Sequence, residues 1–141
     1  MPSPLTVSAS DLETAARTVW GEARGELPLG QTGVAWVIRN RAAWQPPQWW
    51  GHTVKLVCLH PYQFSCWNPT DPNYYHMRSL SDQDLLQYHE IVRAVMAGNV
   101  SDPTGGASHY ERVGAGAPWA KGRMISALIG NHEFFALGPS G

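Results

Sequence analysis

The chain has 141 residues, 43% of them apolar and 15% charged, with a net charge of −1. That length suits one compact domain burying about two-thirds of its unfolded surface, and the composition excludes a disordered chain. The dispersed basic residues leave no footprint for nucleic acid, and no apolar run approaches the roughly 18 residues needed for stable membrane insertion, so an uncharged or mixed-charge polymer is the better-fitting partner.

In chain order, the start Met1-Pro2-Ser3-Pro4-Leu5 lacks the basic region and apolar run of a secretory leader. Synthesis in the cytoplasm is therefore expected, and a substrate outside would need a path opened by another agent. Residues 1–9 read as a tail. Ser10-Asp11-Leu12-Glu13 fits a capping box, predicting a helix from about Asp11 with Leu12, Ala15, Ala16, Val19 and Ala23 as its buried stripe. Gly25 and Pro28 break it. A second helix is predicted from about Leu29 to Ala43, with Val34, Ala35, Ile38 and Ala42 inward, ending before Pro46-Pro47. Gln45 to Gly51 is a Trp- and Pro-rich loop. Val54 to Leu59 fits a short helix or a strand, and Pro61 to His76 reads as a long irregular loop of the kind that is usually functional. A third long helix is predicted after Ser79 or Ser81, with Leu85, Tyr88, His89, Val92, Val95 and Met96 as its stripe and Gly98 as its stop. After the turn Asp102-Pro103-Thr104-Gly105-Gly106, extended pieces near Ala107–Tyr110 and Glu133–Ala136 are expected to pair. The sum is a mainly helical α+β single domain over residues 1–141.

Within Trp20-Gly21-Glu22-Ala23-Arg24-Gly25-Glu26, Glu22 falls one turn beyond the stripe residue Val19, at the border between core and cleft. Half-burial of a carboxyl disfavours its ionised form, which suits a general acid. Glu26, on the turn or at the start of the next element, is the rival carboxylate; the plain alternative is that both are solvated glutamates flanking Arg24. Seven tryptophans and five tyrosines exceed what a core of this size usually wants, and exposed rings suit flat sugar faces.

Five strings in one order resemble the SleB-type cell-wall hydrolases, a family that includes spore cortex-lytic enzymes and phage endolysins. They are Gly21-Glu22-Ala23-Arg24-Gly25-Glu26; Gly33-Val34-Ala35-Trp36-Val37-Ile38-Arg39-Asn40-Arg41; Gln63-Phe64-Ser65-Cys66-Trp67-Asn68; Asp102-Pro103-Thr104-Gly105-Gly106-Ala107 with Tyr110; and Ile129-Gly130-Asn131-His132-Glu133-Phe134. The resemblance, over about residues 12–135, implies a lysozyme-like, lytic-transglycosylase-type fold acting on peptidoglycan glycan strands between N-acetylmuramic acid and N-acetylglucosamine. It implies Glu22 as the catalytic acid, no cofactor and no metal. Tyr110 is the second catalytic candidate, as a hydrogen-bond donor beside Glu22. Gln63 and Ser65 are expected to bind N-acetyl groups or hydroxyls, Phe64 and Trp67 to floor a sugar, and Glu26 and His132 to orient or bind substrate. Phe135 stands where relatives often carry a polar-capable residue. With no separate wall-binding repeat, affinity must come from the groove, and a monomer released through a membrane lesion made by another agent, during phage-type host lysis, is the expected setting.

Competing classes are weaker. The histidines at 52, 60, 76, 89, 109 and 132 include no His-x-x-x-His pair and the cysteines no Cys-x-x-Cys, against a zinc enzyme. Cys58 and Cys66 read as free thiols; Cys66 with His109 or His132 would be needed for a cysteine-dependent amidase. A non-catalytic sugar-binding module would account for the tryptophans alone.

Overall fold

The computed structural model describes residues 4–141. Helix α1 runs Ala9–Ala23, α2 Pro28–Ala42, α3 Val54–Leu59, α4 Tyr74–Ser79 and α5 Leu86–Met96; strands β1 (His109–Arg112), β2 (Ala127–Ile129) and β3 (His132–Phe135) form one antiparallel sheet in the order β1-β3-β2.

Helix α1 begins earlier than the Ser10 capping box implies. Ser8 is the N-cap: its hydroxyl accepts the Asp11 N–H at 3.0 Å, and Asp11 accepts the Ser8 N–H at 2.9 Å. Aspartate three residues on does what glutamate does in the usual box, and Glu13 is left to pair with Arg17 at 3.1 Å. The expected tail is also not loose where described: Leu5 N–H donates to Met96 O at 2.8 Å, and Leu5 and Val7 pack against the core. Met1 to Ser3 lie outside the described residues.

Ala15, Ala16, Val19 and Ala23 of α1 are buried as their period dictates, and Leu12 is partly so. Helix α2 is buried nearly all round, from Gly33 to Arg39 without a break. It has α1 and α5 on one side and the sheet on the other, so no polar face is needed. Gly33 permits this: a Cβ there would sit 2.8 Å from the Phe134 ring. Each fully buried Val, Ile or Phe contributes about 1.5–3 kcal/mol, and Val37, Ala107 and Phe134 form a second small core between α2 and the sheet.

The 53–60 region resolves to helix, with Thr53 capping Leu56 N–H at 3.1 Å. The stretch from Pro61 to His76 is less irregular than its sequence suggests, holding a 3-10 turn at Ser65–Trp67 and the start of α4. The two predicted extended pieces do pair, with Tyr110 opposite Phe134. The third strand, β2, has no forecast in the sequence. No helix among the described residues is long and apolar enough to cross a membrane.

Candidate active site

Glu22 occupies the last turn of α1, half-buried at its edge. The preceding Gly21 sets what can approach it. A Cβ at Gly21 would lie 2.5 Å from Cys66 Cβ, so only glycine lets the 63–67 segment rest on the helix. That contact brings the Cys66 N–H to Glu22 Oε2 at 3.3 Å. From the other side the Tyr110 hydroxyl donates to Oε1 at 2.7 Å. A carboxyl oxygen has two acceptor positions, so each Glu22 oxygen keeps one for a substrate. Burial, then the neighbouring Glu22, hold the Tyr110 pKa well above the ordinary phenol value, which keeps the hydroxyl a donor.

These groups open onto a cleft of about 640 Å³, whose lining includes Gln63, Phe64, Ser65, Tyr110 and His132 with Arg41. Arg41, which sequence reasoning passed over, organises it. Its Nε donates to Ser108 O at 2.7 Å and its Nη1 to Gln63 Oε1 at 3.0 Å, and its guanidinium lies 4.9 Å from the Trp50 ring. The Gln63 amide is thereby held through its oxygen, and its NH2 group makes no hydrogen bond among the described residues. Burial lowers the Arg41 pKa to about 10, leaving it cationic at neutral pH. The signal available in the sequence was a second arginine at the end of an apolar helix, which must be paired if buried. Asn40 ties the Asp102–Ala107 turn to the same helix, donating to Asp102 Oδ2 and Ala107 O at 3.0 Å each.

Two expected site residues lie elsewhere. Trp67 does not line the cleft; its indole N–H donates to Thr18 Oγ1 at 2.9 Å and its ring packs on the core. Inside a 3-10 turn, neighbouring side chains diverge in a way no strand or helix period describes. Trp67→Ala is therefore expected to lower stability by about 2 kcal/mol, measured by denaturant unfolding, with KM unchanged. Glu26 is likewise outside the cleft and buried. It accepts the Asn131 N–H at 2.9 Å and Nδ2 at 3.1 Å, clamping the α1–α2 turn to the β2–β3 hairpin. His132 bridges the two: it lines the cleft, meets the Tyr110 ring edge-on at 5.0 Å, and places Nδ1 4.0 Å from Glu26 Oε1. Phe135 is packing, edge-on to Trp119 at 5.3 Å.

Both cysteines are buried and free. Burial pushes the Cys58 thiol up to about 12, and burial followed by Glu22 pushes Cys66 up as well, the opposite of what a thiolate nucleophile needs. Cys66→Ser and Cys58→Ala are each expected to keep wall-clearing activity within about threefold of wild type. A dead Cys66→Ser enzyme would transfer the chemistry to sulfur.

Burial, then Arg41 and Arg123, lowers the His109 pKa to about 4. Between the ordinary histidine value of about 6.5 and that value the unfolded chain binds a proton the folded one refuses, so stability falls as pH drops through this window. Burial alone would raise the Glu26 pKa, but the Asn131 donors, with His132 and Arg112, bring it below the ordinary value. Its contribution is present above the ordinary glutamate value and is lost as pH falls through the folded one. Calorimetric Tm should thus decline steadily below about pH 6.5, with His109→Gln flattening the upper part of the decline and Glu26→Gln the lower.

The comparisons agree with this architecture. A family model described as Cell Wall Hydrolase matches residues 25–135, beginning just after Glu22. The spore cortex-lytic enzyme of Halalkalibacterium halodurans is 33% identical over 135 residues, covering 93% of this chain and 36% of the relative. That of Bacillus cereus is 33% identical over 133 residues, covering 93% and 46%. The chain thus spans less than half the length of these relatives. The crystal structure of the catalytic domain of Bacillus cereus SleB superposes with a TM-score of 0.73 at 30% identity, over 94% of both chains. The catalytic domain of the germination-specific lytic transglycosylase SleB of Bacillus anthracis gives 0.71 at 31%, over 94% of this chain and 98% of that one. With its sequence matched over most of its length and its mainly helical α+β fold shared with the SleB catalytic domains, the chain belongs to the SleB-type cell wall hydrolase family.

Proposed function

We propose that the chain cleaves peptidoglycan glycan strands between N-acetylmuramic acid and N-acetylglucosamine, acting as a lytic transglycosylase through Glu22. The observation that carries this reading is the Glu22 carboxyl at the cleft, with the Tyr110 hydroxyl 2.7 Å from one of its oxygens. Protonated Glu22 gives its proton to the glycosidic oxygen as the bond from muramyl C1 breaks, releasing the glucosamine hydroxyl. The muramyl C6 hydroxyl then attacks C1 and returns its proton to Glu22, leaving a 1,6-anhydro ring. Intramolecular attack replaces the water and second carboxylate of ordinary glycosidases. The other carboxylate bordering the cleft, Glu111, follows Tyr110 in β1, so its side chain leaves the opposite face, and it accepts the Ala117 N–H at 2.9 Å.

Digestion of purified sacculi followed by mass spectrometry tests the reading. Anhydro-muramyl ends are expected. Reducing muramic ends would make the enzyme a hydrolytic muramidase, and freed stem peptides would make it an amidase.

For the setting we propose wall lysis from within, by a monomer released through a membrane lesion as in a phage cycle. The names of the relatives favour a second setting, the spore cortex. Clearing of vegetative cells when the enzyme is co-expressed with a pore-forming protein supports the first; activity confined to decoated spores supports the second. Light scattering checks the monomer.

A further inference from the structure

Besides Glu22 and Tyr110, the same cleft is lined by Trp49, Tyr62 and Trp119, side chains that the mechanism above does not use. From Glu22, contacts run through Tyr110 to Phe64 at 6.5 Å, to Arg41 at 5.9 Å, to Trp50 at 4.9 Å and to Trp49 at 5.5 Å. Among the described residues Trp49 is linked to the reacting carboxyl through this series of contacts and makes no hydrogen bond with Glu22 itself.

Trp49 is 48% exposed yet pinned, its Nε1 donating to Pro139 O at 2.9 Å and its ring meeting His60 at 5.2 Å. Trp119 is set between His109 at 5.1 Å and Phe135 at 5.3 Å. Tyr62 is different: it is 86% exposed, and among the described residues no hydrogen bond or ring contact holds its side chain. Its φ is +64°, in a turn where Gln63 N–H reaches His60 O at 3.2 Å. Glycine adopts that conformation freely and a bulky ring does not, so nothing in the fold itself favours tyrosine there. Backbone held in this region with an exposed side chain at a cleft points to work done by the side chain. Aromatic faces pack against the apolar faces of flat sugars, and rings fixed beforehand, as those of Trp49 and Trp119 are, lose little freedom when they do so.

We propose that Trp49, Tyr62 and Trp119 form a distal aromatic subsite that stacks on a sugar of the strand beyond the two flanking the scissile bond. The proposal rests on the glycan-cleaving reading above.

The test is calorimetric binding in the Glu22→Gln background, using alternating N-acetylglucosamine and N-acetylmuramic acid saccharides of two and six sugars. Tyr62→Gly and Trp49→Ala are each expected to weaken hexasaccharide binding on the order of tenfold, and disaccharide binding by less than about twofold. Tyr62→Gly is the decisive variant, because glycine relaxes the backbone and Tm should hold or rise. Unchanged hexasaccharide affinity in Tyr62→Gly, with the Glu22→Gln parent still binding, overturns the subsite alone. Equal losses at both lengths also overturn it, placing the rings at the central site. A Glu22→Gln parent that binds neither saccharide overturns the subsite and the glycan reading together.

Discussion

Glu22→Gln is expected to lower wall-degrading turnover by about 10²–10⁴-fold, the usual worth of a positioned general acid, with circular dichroism unchanged and a small loss of Tm, since the amide nitrogen cannot accept the Cys66 N–H. The amide keeps the shape, and its oxygen still accepts the hydrogen bond that Tyr110 makes to Oε1, but it has no proton to give. Glu26→Gln serves as the paired control. Glu26 is held by two Asn131 donors outside the cleft, so its loss should show in acid stability and leave turnover near wild type at neutral pH. Should Glu22→Gln keep more than about a tenth of wild-type turnover while Glu26→Gln loses it, the acid has been assigned to the wrong residue.

Tyr110→Phe is expected to lower kcat by about 10–10²-fold with KM little changed. One hydrogen bond to a charged group is worth about 1.5–3 kcal/mol, and this one matters most while a proton is moving at Glu22. The ring's packing survives the substitution, since Phe64, His132 and Phe134 surround it at 5.0–6.5 Å. Steady-state kinetics on soluble glycan separate the cases: a rise in KM with kcat intact would make Tyr110 a binding residue.

The legible parts of this molecule were those written in a repeating period. The α1 stripe and the extent of α2 follow from apolar spacing, and Glu22 falls at the cleft because one turn past Val19 leads to the edge of that stripe. The pairing of residues near Tyr110 with those near Phe134 was readable from extended pieces bounded by turns. Illegible were features fixed by contacts remote in sequence. Phe64 and Trp67 look interchangeable as sugar floors, yet only Phe64 lines the cleft, because Thr18 captures Trp67. Arg41 acquires its role through Ser108 and Gln63. Glu26 is a clamp rather than a ligand because Asn131, 105 residues later, supplies two donors. Strand β2 is three residues long, too short for alternation to register.

The pairing of Glu22 with Tyr110 joins positions 88 residues apart, and the clamp beneath it joins positions still farther separated. In chain order α1, which bears the acid, precedes β1, which bears the tyrosine, and so leaves the ribosome earlier. Closing so long a loop waits until the strands can dock. Until then Glu22 lacks the hydrogen bond from Tyr110. A fragment ending before β1 carries the acid without its partner, so on the proposed mechanism its turnover should fall at least as far as that of Tyr110→Phe.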